Sequence, residues 1–180
     1  MKVSFITPPS LDKFKPAERT AGCTRVVYNM VNIYELTVAA LAEQEGYEVA
    51  YRNFVLDEAS SEQFFSFLEN DDSDIYLLWT VNLSIPTDIQ VERFIHAKRP
   101  ESICIFLGPG ATYFAKSLLG HPASVVVRGE PEDTVRELLR YISEGKDWRT
   151  IVGISFWDEN QVVENAPRPL IKNLDELPFP

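Results

Sequence analysis

A chain of 180 residues, 45% hydrophobic and 24% charged, carries enough apolar material for one soluble globular domain with a core and a short tail. Its net charge of −10 at pH 7 repels phosphate backbones and anionic lipid, which argues against nucleic acid and against a membrane surface as partners. Its apolar runs, such as Ile75 to Trp79, are far too short to span a bilayer.

Met1-Lys2-Val3-Ser4-Phe5-Ile6 opens a strand over Lys2 to Thr7 and does not read as a secretory leader, because neither a long apolar stretch nor a small-residue cleavage site follows. A long polar loop runs from Pro8 to about Arg25, and its length predicts a functional role as a cap over a ligand edge. A helix is expected from about Asn32 to Glu45. Asn32 and Glu35 are placed to form a capping box, Gly46 supplies the left-handed stop, and Ile33, Leu36, Ala40 and Leu41 give an apolar face. Glu48 to Asn53 is a second strand. A second helix starts at the Ser60-Ser61 cap and carries Phe64, Phe65 and Leu68.

The third strand, Ile75 to Val81, is apolar throughout, as a central strand buried on both faces must be. Pro86 suits the first turn of a third helix that ends before Pro100. Ser102 to Leu107 is a fourth strand, followed by a short helix between Gly110 and Gly120, and Ser124 to Arg128 is a fifth. Pro131 opens a fifth helix with Val135, Leu138, Leu139 and Ile142 facing inward, and Gly145 ends it. Ile151 to Phe156 pairs with Gln161 to Glu164 through the turn Asp158-Glu159-Asn160. Residues 165–180, rich in proline, read as an extended linker after a domain over residues 1–164.

Strand-helix alternation of this kind predicts a doubly wound, flavodoxin-like α/β fold: a Rossmann-like three-layer arrangement with a parallel sheet of order 2-1-3-4-5 or 3-2-1-4-5 and a C-terminal strand pair beside it. Ligands of such sheets bind beyond the carboxyl ends of the strands. The loops there are Thr7-Pro8-Pro9-Ser10, Asn82-Leu83-Ser84, Gly108-Pro109-Gly110-Ala111-Thr112 and Gly129-Glu130-Pro131-Glu132. Glycine turns leading into helices admit a ligand close to free amides, although tight turns need glycine without any ligand. A magnesium-dependent receiver would need clustered aspartates at Thr7-Pro8 and Val81-Asn82, where there are none. The two prolines after strand one make a poor phosphate cradle. Gly108-Pro109-Gly110 resembles a fragment of a dinucleotide fingerprint without its third glycine, and a nucleotide-binding enzyme domain rests on that segment alone.

Several segments resemble the N-terminal domain of the cobalamin-dependent radical S-adenosylmethionine (SAM) enzymes. Val126-Val127-Arg128-Gly129-Glu130-Pro131-Glu132-Asp133-Thr134 is similar to that family's turn after strand five, and Ile105-Phe106-Leu107-Gly108-Pro109-Gly110-Ala111-Thr112 to its glycine turn after strand four. Ile151 to Phe156, Asn165, Arg168 to Ile171, and Leu174-Asp175-Glu176-Leu177-Pro178-Phe179-Pro180 look like its bridge into the radical SAM barrel. The resemblance implies a cobalamin-binding domain whose partner is an adjacent radical SAM domain of methyltransferase or cyclase type, in the cytoplasm. The implied cofactor contacts are Thr7, Pro8, Pro9, Asn82, Leu83, Ser84, Gly108, Pro109, Gly110, Ala111, Thr112, Gly129 and Glu130. The alternative is a non-catalytic structural module of the same fold without cobalamin.

Cys23 and Cys104 are the only cysteines, too few for a 4Fe-4S cluster, so the cluster and SAM are expected in the barrel and no catalytic centre in this chain. Cys104 reads as a small core residue. His96 and His121 fall away from the ligand loops, so cobalt is expected without a histidine from this domain and no metal ligand is assigned. Asp12, Lys13 and Lys15 read as solvated loop charges, Trp79 as core, and Glu130 and Glu132 as charges suited to a helix start.

Overall fold

The computed structural model describes residues 1–11 and 31–180. Among them seven strands form one sheet: β1 (Lys2–Thr7), β2 (Glu48–Asn53), β3 (Ile75–Trp79), β4 (Ile103–Leu107), β5 (Ser124–Val127), β6 (Ile154–Asp158) and β7 (Gln161–Glu164). Their order is β2-β1-β3-β4-β5-β6-β7. The first five are mutually parallel, β6 runs antiparallel to β5, and β7 antiparallel to β6. The parallel part has the first of the two expected orders. The C-terminal pair extends the same sheet beyond β5, so the whole is a flavodoxin-like α/β fold.

Five helices cover the two faces: α1 (Ile33–Gln44), α2 (Ser61–Asn70), α3 (Ile85–Lys98), α4 (Gly108–Leu118) and α5 (Glu132–Ser143). Alternation along the strands divides the core. Ile75, Leu77 and Trp79 of β3 join Val38, Ala39 and Ala42 of α1 and Val135, Leu138 and Leu139 of α5 on one face. Tyr76 and Leu78 join Phe64 and Leu68 of α2, Val91 and Ile95 of α3, and Ala111, Ala115 and Leu118 of α4 on the other. Cys104 is buried in β4, as read from its apolar setting, and burial raises its thiol pKa well above the ordinary value.

Local signals act where they were read. The Asn32 side chain accepts from the Tyr34 N–H at 3.0 Å, Ser60 and Gln63 close a capping box at α2, and Gly46 has φ +86° after α1. Glu159 and Asn160 both have positive φ between the paired residues Asp158 and Gln161, the backbone of a tight two-residue hairpin.

The face of α1 differs from expectation. Ile33 is 57% exposed, whereas Glu35, Val38, Ala39 and Ala42 are buried at helical spacing with Leu41 beside them. A search for apolar side chains alone misplaces this stripe because its first member is a carboxylate with internal partners. Boundaries also move: β3 ends at Trp79 rather than Val81, α4 begins at Gly108, β5 ends at Val127 rather than Arg128, and β6 runs Ile154–Asp158 rather than Ile151 to Phe156. Beyond Leu11 the first loop, with Asp12, Lys13, Lys15 and Cys23, lies outside the described residues. No helix among the described residues is long and apolar enough to cross a membrane.

Candidate functional site

Because β1, β3, β4 and β5 are parallel, their carboxyl ends share one edge. The connections turn in opposite directions from β1 and β3, which makes the crevice between these two the switch point where open α/β sheets take ligands. Thr7 ends β1 with its hydroxyl turned inward, donating to Glu35 Oε2 at 2.9 Å. The Tyr51 hydroxyl donates to the same oxygen at 2.8 Å, and Asn32 Nδ2 approaches Oε1 at 3.5 Å. Glu35, expected to close a cap, is instead fully buried at the centre of this network. Burial, and then the charge of Glu35, push the Tyr51 phenol pKa up, so Tyr51 remains a donor. Pro8 and Pro9 are buried beside Thr7.

At the end of β3 the Trp79 indole is held on two sides. Gly108, with φ +89°, lies so close that a Cβ there would stand 2.8 Å from Trp79 Cε2. Tyr34 stacks on Trp79 with ring centroids 5.6 Å apart and 9° between planes, yet is itself 57% exposed. Leu83, in the 3-10 turn Asn82–Ser84, is 60% exposed and Asn82 is exposed beside it. Ser84 points inward: its hydroxyl accepts from the Val81 N–H at 3.0 Å and lies 2.8 Å from Asp88 Oδ2.

Gly110 is packed against the chain itself. A Cβ there would meet the Val81 carbonyl carbon at 2.7 Å, and the Gly110 N–H donates to the Thr80 carbonyl at 2.9 Å. Both glycines of Gly108-Pro109-Gly110 thus have internal packing reasons that need no ligand. Thr112 ties the first turn of α4 to the turn after β5, donating to the Gly108 carbonyl and accepting from the Gly129 N–H, both at 3.1 Å. Gly129, with φ +81°, is exposed, and a Cβ there would meet nothing within 4 Å. Glu130 accepts from the Ile171 N–H at 2.6 Å, and Arg168 pairs with Glu137, so the segment after β7 folds back beside this edge. Ala111 is buried under α4.

The edge therefore presents Asn82, Leu83, Tyr34, Thr112, Gly129 and Glu130, while Thr7, Pro8, Pro9, Ser84, Gly108, Gly110 and Ala111 form the layer beneath. Tyr34 and Tyr51 carry no sequence motif, and the capping box expected of Glu35 gives no sign of its inward role. Among the described residues no group of three or more His, Cys, Asp or Glu side chains is placed to hold a metal ion. His96 and His121 stack on each other at the amino edge, with rings 3.7 Å apart.

No family model matches the chain. An uncharacterized methyltransferase of Pyrococcus horikoshii is 25% identical over 187 aligned positions, covering all of this chain and 38% of the relative. The anaerobic magnesium-protoporphyrin IX monomethyl ester cyclase of Synechocystis is 29% identical over 92 residues, half of this chain and 18% of that one. The chain thus spans well under half the length of either curated relative. Among solved structures, the radical SAM methyltransferase TsrM of Kitasatospora setae, with cobalamin and a [4Fe-4S] cluster bound, superposes with TM-score 0.65 at 16% identity, over 99% of this chain and 31% of TsrM. The cobalamin-dependent SAM radical enzyme OxsB with aqua-cobalamin bound gives TM-score 0.66 at 16% identity, over 94% of this chain and 22% of OxsB. Over nearly its whole length this chain has the fold of a portion of the cobalamin-dependent radical SAM enzymes, which it resembles.

Proposed function

We propose that the chain is a cobalamin-binding module, holding the corrinoid as a methyl carrier or redox partner for an adjacent radical SAM domain. The observation that carries this reading is the fold similarity across 99% of the chain to a methyltransferase structure with cobalamin bound. Residues 1–164 form the module, and residues 165–180, tied back through Arg168 and Ile171, lead toward the partner domain. The 4Fe-4S cluster and SAM belong to that domain, since Cys23 and Cys104 are the only cysteines here.

The carboxyl edge fits a flat macrocycle with a polar tail. Tyr34 and Leu83 offer exposed apolar surface beside the switch point, and the open space over Gly129 admits a ligand close to the backbone. Asn82 supplies an exposed amide at the same edge. Thr7, Ser84, Gly108 and Gly110 shape the floor through their internal contacts and do not reach for the ligand themselves. When bound, cobalamin supplies a cobalt centre for methyl transfer or electron transfer. This chain supplies position and orientation. With both histidines at the amino edge, it supplies no imidazole to cobalt.

Hydroxocobalamin titrated into the purified chain tests the reading: the visible spectrum is expected to move to a base-off form, and Tyr34→Ala is expected to weaken binding. A histidine-ligated spectrum overturns the reading that this chain supplies no imidazole to cobalt. A second reading, a structural module of this fold without cobalamin, is favoured by the internal engagement of Thr7, Ser84 and Gly110. It prevails if neither this chain nor a longer protein containing it binds hydroxocobalamin.

A further inference from the structure

At the opposite, amino end of the strands, a cavity of about 400 Å³ opens between α3 and α4. Ile89, Leu118 and Leu119 make its apolar wall, and Glu92, His96 and His121 its polar one. Two of these polar residues belong to the interior, Glu92 at 4% and His96 at 7% exposure. The Ser124 hydroxyl, at the start of β5, donates to Glu92 Oε1 at 2.6 Å and lies 3.1 Å from His96 Nε2. With its proton directed to Glu92, Ser124 accepts from His96, which makes His96 the neutral Nε2–H tautomer. Burial, and then neighbouring His121, hold the His96 pKa down to about 4, so the ring brings no charge to the cavity near neutrality.

A carboxylate taken out of water needs a cation or further donors. Burial pushes the Glu92 carboxyl pKa up, against the donation from Ser124 and the fields of His121 and Arg93. Arg93 is exposed at the rim. The C-terminal ends of two helices border the same space: α4 ends at Leu118 with Leu119 as its cap, and α3 runs on past Ala97 to Lys98. Helix C-termini carry partial negative charge and free carbonyls, so they favour a cation. Lys98, in the last turn of α3, is paired outward with Glu69 at 3.4 Å.

We propose that this cavity is a binding site for a small primary alkylammonium. Its charged head sits against Glu92 and the helix ends, and its alkyl tail lies along Ile89, Leu118 and Leu119. The site is separate from the carboxyl edge and independent of cobalamin.

The chain contains two histidines, both lining the cavity, so their ring signals in NMR spectra report on it directly. Titration with n-butylammonium chloride at neutral pH and constant ionic strength is expected to shift both sets of signals saturably, and sodium butyrate is expected not to. Glu92→Gln keeps the shape, removes the charge and is expected to weaken binding by about tenfold or more. Ser117→Trp, at an exposed position on the wall, is expected to abolish the shifts with the circular dichroism spectrum unchanged. Should Glu92→Gln fail to fold, the Ser117→Trp result decides. The absence of a saturable shift, an equal response to butyrate, or undiminished binding by folded Glu92→Gln or by Ser117→Trp overturns the proposal.

Discussion

The Thr112 hydroxyl ties the first turn of α4 to the turn after β5, accepting from the Gly129 N–H at 3.1 Å while donating to the Gly108 carbonyl. The start of α4 and the turn after β5 therefore hold a fixed spacing. Thr112→Val removes both bonds with little change of shape and is expected to cost about 1 kcal/mol in urea unfolding. It is also expected to weaken hydroxocobalamin binding, with Thr112→Ser restoring both. Unchanged unfolding and binding in Thr112→Val would show that this link does not hold the edge.

Two glycines in neighbouring segments should respond oppositely to the same methyl group. At Gly110 a Cβ would stand 2.7 Å from the Val81 carbonyl carbon, and backbone cannot swing aside as a side-chain tip can. Gly110→Ala is expected to destabilise the fold by about 1–3 kcal/mol. At Gly120 nothing lies within 4 Å, and Gly120→Ala is expected to be neutral or to stabilise by up to about 1 kcal/mol. Thermal unfolding of the two variants checks the contrast.

Tyr51 and Thr7 both donate to Glu35, whose side chain is buried. Tyr51→Phe removes a donor to this buried acceptor and is expected to cost about 1–3 kcal/mol. Since the two residues act through one bond, the double variant Tyr51→Phe with Glu35→Gln should lose less than the sum of the single losses. A double-mutant cycle that is additive to within about 0.3 kcal/mol would mean that the pair is uncoupled.

His96 carries a pH signature. Its pKa falls from 6.5 in the unfolded reference to about 4 in the fold, chiefly through burial. Between these values the unfolded chain binds more protons than the folded one. The stability tied to burying a neutral ring is therefore complete above about pH 6.5 and is lost as pH falls toward 4. The loss is on the order of 3 kcal/mol. Glu92, raised by burial, acts in the opposite sense, its charged form costing stability as pH rises. The measurement is thus the difference between the parent and His96→Gln, followed by urea unfolding from pH 7 to 4. That difference should move against the parent as pH falls, and a flat difference would contradict the assignment.

Much of the architecture is legible in the sequence itself. The period-2 and period-3.6 patterns, the apolar run at Ile75, the Ser60 cap and the stops at Gly46 and Gly145 act through neighbours a few residues away. These local signals place the strands and helices nearly where they form. Right-handed crossovers limit the parallel strands to two orders, and the rule that open sheets take ligands beyond the carboxyl ends of their strands points to that edge.

The chemistry of individual side chains was decided by the tertiary structure alone. Thr7 and Glu35 are 28 residues apart, and Ser124 and Glu92 are 32 apart. Whether such a polar group faces solvent, a ligand or another buried side chain depends on which segments the sheet brings together, and no local pattern records that. For the same reason Gly110, read as a place for a ligand, proved to be the point where α4 meets the backbone after β3. Glu35, read as a cap, lies at the centre of the floor beneath the switch point, because only the assembled fold brings Thr7 and Tyr51 to its buried carboxylate.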